Sequence, residues 1–142
     1  MLAPVSQPLT IRVSEAETVS ALFTRPQPSR ACYVLAHGAG TGMNHSFMAS
    51  VSAGLADRGI ATLRYQFAFM ERGSKRPDSP RVARTAVRAA IAMAASLMPD
   101  NPLFAGGKSF GGRMTSQAQA ESALPQVRGL IFSGFPLHRG KE

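Results

Sequence analysis

Ser109 stands in the stretch Leu103-Phe104-Ala105-Gly106-Gly107-Lys108-Ser109-Phe110-Gly111-Gly112-Arg113, where two kinds of chemistry compete. Gly107-Lys108-Ser109 matches the close of a phosphate-binding loop. Gly107-x-Ser109-x-Gly111 matches a tight strand-to-helix turn that presents a serine hydroxyl as a nucleophile. A phosphate loop needs a glycine five positions before its Gly-Lys pair, so that backbone N–H groups can wrap the phosphates. Pro102 holds that position, with a fixed φ and no N–H. Such a site also needs a later aspartate to hold magnesium, and no aspartate follows Ser109. The phosphate reading fails on both counts.

The serine reading makes further demands. Attack on a carbonyl builds negative charge on its oxygen, so two N–H donors must be in place. The Phe110 N–H, directly after the serine, is the first. The second is expected from His37-Gly38-Ala39-Gly40, a glycine-rich loop after an apolar run. Ala39 is the first choice there and Gly40 the second, with His37 shaping the loop and read as lining the pocket. A serine also needs a histidine to take its proton and a carboxylate to orient that histidine. After Ser109 the chain offers only Glu121, Glu142 and His138. Glu121 is expected on the solvent side of the following helix. His138, just past the last apolar run, is read as lining a pocket, since no acid is placed to orient it. His45 is read at the first turn of a helix near the pocket mouth. The bland alternative is a glycine-rich turn around a buried serine.

The elements that must position these residues follow from the apolar patterning. Residues 9–13 and 19–25 read as a hairpin, and 32–38 as a strand buried on both faces. Phe47, Met48, Val51 and Leu55 recur at helical spacing over 44–58, which Gly59 stops. Residues 60–67 read as a strand and 68–78 as a polar loop. Ser79-Pro80 looks like a helix start, and Val87, Ala90, Ile91, Ala94 and Leu97 form a stripe that ends at Pro99. A strand then runs into the serine turn, a helix follows, and 127–136 is a last strand. The alternation predicts an α/β domain, a mostly parallel central sheet with helices on both faces.

With 142 residues, one domain over 1–142 accounts for the chain. No apolar run approaches a membrane span, and the N-terminus lacks the pattern of a secretory signal. A single cysteine, Cys32, fits a reducing compartment, so a cytoplasmic location is expected. The net charge of +8 comes from 16 basic against 8 acidic residues. Arg81, Arg84 and Arg88 share one helix face, read as solvated rather than as a polyanion site. Aromatic residues are not interleaved among the basic ones, so nucleic acid is not expected as a partner. No cluster with ligand spacing calls for a metal, and the chemistry calls for no cofactor.

The segments VLAHGAG (34–40), LRYQFAFMERGSKRPD (63–78), FAGGKSFGGR (104–113) and GLIFSGFPLH (129–138) together resemble the α/β-hydrolase superfamily. They resemble most closely the small hydrolases related to dienelactone hydrolase. The resemblance runs from about residue 9 to the C-terminus. It implies Ser109 as nucleophile, Ala39 and Phe110 as oxyanion donors, and a small-molecule ester, lactone or thioester as substrate. It also implies two further strands carrying the acid and the base, which would lie beyond Glu142. The chain therefore reads as C-terminally incomplete, with self-association expected through an exposed sheet edge. The competing reading is a non-catalytic interaction module that keeps the scaffold.

Overall fold

The computed structural model describes residues 4–135. Its first two strands, β1 (Ser6–Arg12) and β2 (Thr18–Thr24), form the expected antiparallel hairpin. The Val13 and Ser14 N–H groups both donate to the Glu17 carbonyl and close its turn. Next come β3 (Ala31–Ala36), α1 (Ser46–Ala56), β4 (Ile60–Tyr65), α2 (Ala68–Glu71), α3 (Pro80–Leu97), β5 (Leu103–Lys108), α4 (Phe110–Glu121) and β6 (Val127–Ser133). The six strands make one sheet in the order β1-β2-β4-β3-β5-β6. Pairings β4–β3, β3–β5 and β5–β6 are parallel, and β2 meets β4 antiparallel. The order places β3 centrally, and Cys32 to Ala36 are all buried, as a continuous apolar run requires.

Helices cover both faces. On one, α1 lays Met48 over Tyr33 and Leu35, with Phe47, Val51 and Leu55 partly buried beside them. On the other, α3 and α4 pack side by side over the larger core. In α3, Pro80 occupies the first turn, and the Val82 N–H donates to the Ser79 hydroxyl. Its stripe of Ala83, Ala86, Val87, Ala90, Ile91 and Ala94 is fully buried. The small side chains let the helix approach the sheet closely, so enlarging one of them would cost about 1–3 kcal/mol.

Two expectations are revised. The basic face of α3 is not simply solvated. Arg84 donates to Gln117 at 3.2 Å and pairs with Glu121 at 3.3 Å, while Arg88 caps the Ala118 and Ser122 carbonyls at the end of α4. Sequence spacing put these arginines on one face, but not that a second helix would pack against it. The segment 68–78 is also more ordered than a polar loop. It contains α2, and the buried Asp78 carboxylate accepts the Phe69 N–H and pairs with Arg72 at 3.1 Å. Arg72 in turn reaches Glu17 in the hairpin turn.

Candidate active site

Ser109 links β5 to α4 at φ 51° and ψ −112°, and is the one non-glycine residue with positive φ among the described residues. Such a conformation costs on the order of 1–3 kcal/mol and persists only where the surroundings fix it. Here both backbone groups are held. The Ser109 N–H donates to the Ser133 carbonyl of β6 at 3.0 Å, and its carbonyl accepts the Arg113 N–H at 3.0 Å. The side chain is half-buried.

The flanking glycines are there because a side chain would not fit. A Cβ on Gly107 would sit 2.3 Å from the Ala36 carbonyl oxygen, and one on Gly111 would sit 2.6 Å from Ala36 Cβ. Gly106 does more than add clearance. A Cβ there would fall 1.7 Å from the Ile131 carbonyl oxygen. The serine turn is thus wedged between β3 and β6 at van der Waals limits.

The loop after β3 runs past this turn. A Cβ on Gly38 would lie 3.8 Å from Ser109 Cβ. Ala39 is half-buried and Gly40 exposed. Among the described residues, the N–H groups of Ala39, Gly40 and Phe110 have no backbone acceptor. The structure brings Gly38 of this loop against Ser109. Phe110 itself is anchored below, edge-on to Phe67 at 5.2 Å and Phe69 at 5.8 Å between ring centroids.

His37 does not line a pocket. It is fully buried, with its Nε2 accepting the Phe67 N–H at 3.0 Å and its Nδ1 hydrogen-bonded to the Gly38 carbonyl at 2.7 Å. An accepting Nε2 leaves the proton on Nδ1, which donates to Gly38. Burial pushes the imidazole pKa below its usual value, against smaller upward pulls from the Gly38 hydrogen bond and Asp78. A neutral His37 thereby ties the loop after β3 to the segment after β4, which is how it shapes the loop.

The remaining candidates among the described residues are engaged at helix ends. His45 is exposed and caps α1, its Nδ1 accepting the Phe47 N–H at 3.2 Å. Glu121 is exposed, paired with Arg84 and Arg88 at the end of α4. His138 lies outside the described residues. Among the described residues no group of three or more His, Cys, Asp or Glu could hold a metal ion. No helix among them is long and apolar enough to cross a membrane.

Two supporting residues escape a reading that looks for nucleophiles. Arg64 and Gln66 grip Met43 at the far end of the same loop. Arg64 Nη1 donates to the Met43 carbonyl at 3.1 Å, and Gln66 Oε1 accepts its N–H at 2.9 Å. The available signal is their spacing of two, which along an extended run puts both on one face. Beside the turn, on the α1 face of β5 and β6, lies an apolar cavity of about 200 Å³ lined by Tyr33, Leu35, Phe47, Phe104, Ile131 and Ser133, among others. Lys108 Nζ sits 4.8 Å from the centroid of the Phe47 ring.

A family model described as alpha/beta hydrolase domain matches residues 29–142. No curated protein sequence matches significantly. Among solved structures, the chain is similar to a dienelactone hydrolase from Anabaena variabilis, with a TM-score of 0.81 at 18% identity over 94% of this chain. It is similar to a Thermus thermophilus protein at 26% identity and TM-score 0.72, over 99% of the chain. It is also similar to Est1E from Butyrivibrio proteoclasticus, a structure with ferulic acid bound, at 20% identity and TM-score 0.75 over 87% of the chain. The chain spans 65%, 61% and 51% of those three proteins, respectively.

Proposed function

The chain belongs to the α/β-hydrolase family, and from that premise we propose that it carries the acyl-transfer half of a serine-hydrolase active site. Ser109 is the nucleophile. Its hydroxyl oxygen adds to the carbonyl carbon of an ester, lactone or thioester, and the carbonyl oxygen becomes an oxyanion. The N–H groups of Phe110 and Ala39 stabilise that charge, with Gly40 as the alternative second donor. Collapse expels the alcohol or thiol and leaves an acyl-Ser109 ester, which water cleaves to release the acid and restore the hydroxyl.

The observation that carries this reading is Ser109 held at positive φ beside a loop whose Ala39 and Gly40 N–H groups have no backbone acceptor among the described residues. The Ser109 amide is occupied by Ser133, so the first candidate donor is that of Phe110. Each described histidine is engaged elsewhere, His37 in the core and His45 at the α1 cap. His138 lies outside the described residues, and we propose that the general base and its orienting acid come from sequence beyond Glu142, with His138 the alternative base within this chain. No metal or cofactor enters this scheme.

The test is labelling by a fluorophosphonate probe, applied to this chain and to a form extended by any sequence that follows it. The extended form is expected to label, and Ser109→Ala to abolish the signal. Labelling that survives Ser109→Ala removes the assignment. If no form labels while a protein partner binds saturably, the chain is a non-catalytic module on the hydrolase scaffold.

A further inference from the structure

On the other flank of α1 from the apolar cavity, a second cavity of about 210 Å³ opens between that helix and strands β1, β2 and β4. Its lining is polar in an unusual way. Arg64 reaches into it from β4 and is only 5% exposed. Buried guanidinium groups ordinarily have a carboxylate partner, because an isolated charge in the interior is costly. Among the described residues, no carboxylate lies within 4.0 Å of Arg64. Two of its N–H groups meet neutral acceptors, the Met43 carbonyl at 3.1 Å and Ser6 Oγ at 3.2 Å. Among the described residues its buried Nε has no partner.

A chain of hydroxyls continues from the arginine. Ser6 Oγ lies 2.7 Å from Thr24 Oγ1, and Ser52 Oγ donates to Thr24 at 3.3 Å. Ser52 spends its proton within the chain, and one of Ser6 and Thr24 donates to the other, so the remaining hydroxyl of that pair is free to donate into the cavity. A guanidinium with unspent donors beside a free hydroxyl is what recognises a phosphate or carboxylate group. The cavity has room for roughly six waters or a small anion. One negative charge, Asp57, also lines it. Asp57 caps the C-terminal end of α1, just before β4 begins, whereas Arg64 lies four residues up that strand, roughly 13 Å along it.

We propose that this cavity binds a small oxyanion at the Arg64 end, held by the guanidinium and by whichever hydroxyl of Ser6 and Thr24 is free to donate. The site is separate from Ser109 and does not depend on its chemistry. The anion would supply the buried charge with its missing counterpart.

Thermal unfolding of the 142-residue chain tests this, with sodium phosphate, sulfate or acetate replacing chloride at constant ionic strength. The expected result is a saturable rise in Tm, as for any ligand bound only by the folded state. Saturation by phosphate and sulfate alone identifies a tetrahedral anion, and saturation by acetate a carboxylate. Either outcome supports the site. Arg64→Gln should abolish the rise and Arg64→Lys should weaken it. Ser6→Ala should raise the half-saturating concentration roughly tenfold, as loss of a hydrogen bond to a charged group does. Asp57→Asn should lower it by removing a like charge that lines the same cavity. Those last two variants decide the matter if Arg64→Gln does not fold. No rise beyond chloride, an unsaturable rise, or equal saturation in wild type, Ser6→Ala and Asp57→Asn would overturn the proposal.

Discussion

The serine turn has two flanks, and they are built differently. Toward β3 the turn meets the interior. Gly107 and Gly111 press on Ala36, His37 has both nitrogens bonded, and Phe67, Phe69 and Phe110 close the space below. Toward β6 the contacts are as tight but the strand behind them is not. Gly106 presses on Ile131, Ser109 bonds Ser133, and the Tyr33 hydroxyl crosses β5 to bond the Ile131 carbonyl at 2.8 Å. Yet β6 is the last strand of the described sheet, with Ile131 47% and Phe132 37% exposed. Strain at Ser109 is therefore opposed by a rigid wall on one side and by an edge strand on the other.

Substitutions on each flank probe this contrast. Gly106→Ala carries the largest expected effect, since a methyl group 1.7 Å from a backbone oxygen cannot be placed without parting β5 from β6. A loss of about 4 kcal/mol or more is expected in denaturant unfolding. If the edge strand simply yields, the loss will be small and the variant will instead show hydrogen exchange confined to β6. His37→Gln acts on the core flank. It should cost about 1–3 kcal/mol by leaving the Phe67 N–H or the Gly38 carbonyl unsatisfied.

The same histidine gives a pH signature. Its folded-state pKa lies below the unfolded value of about 6.5, so the unfolded chain binds the extra proton first. Its contribution should be complete above about pH 6.5 and shrink as the solution is acidified. The stability difference between wild type and His37→Gln measured across that range should follow this course, and a difference constant with pH would contradict the neutral latch. Ser109→Gly should gain about 1 kcal/mol by relieving the positive φ, while removing any probe labelling. Ser109→Ala keeps the strain and should leave stability near the wild type. Tyr33→Phe is expected to cost about 1 kcal/mol and to loosen β6 rather than β3. The association through a sheet edge expected from the sequence is tested at β6, an edge of the described sheet. Sedimentation of wild type and Ile131→Lys tests it, with the variant expected to be the more monomeric.

Much of this architecture is legible in the sequence because it is encoded locally. The continuous run at 32–36, the Ser79-Pro80 start of α3 and the stop at Gly59 each act through their neighbours in the chain. What was illegible depends on partners distant in sequence. Helical spacing gathers Arg84 and Arg88 on one face, but only the packing of α4 turns them into clamps on Gln117, Ala118 and Ser122. His37 reads as a pocket histidine until Phe67, thirty residues on, is seen to donate to it. Gly106 reads as spare room until β6 is laid beside β5. Arg64 reads as one more basic residue, because nothing local reveals that it is buried without a carboxylate partner among the described residues.

Cys32, wholly enclosed in the middle of the sheet, has a thiol pushed up to about 12 by that enclosure. Since the thiolate is the reactive species, the chain's sole native sulfhydryl should be inert to alkylating reagents at neutral pH while the fold persists. The wild-type chain is in effect a cysteine-free background. A Ser109→Cys variant could be tagged with a maleimide dye at that one position, and a second tag appearing under denaturant would report unfolding directly.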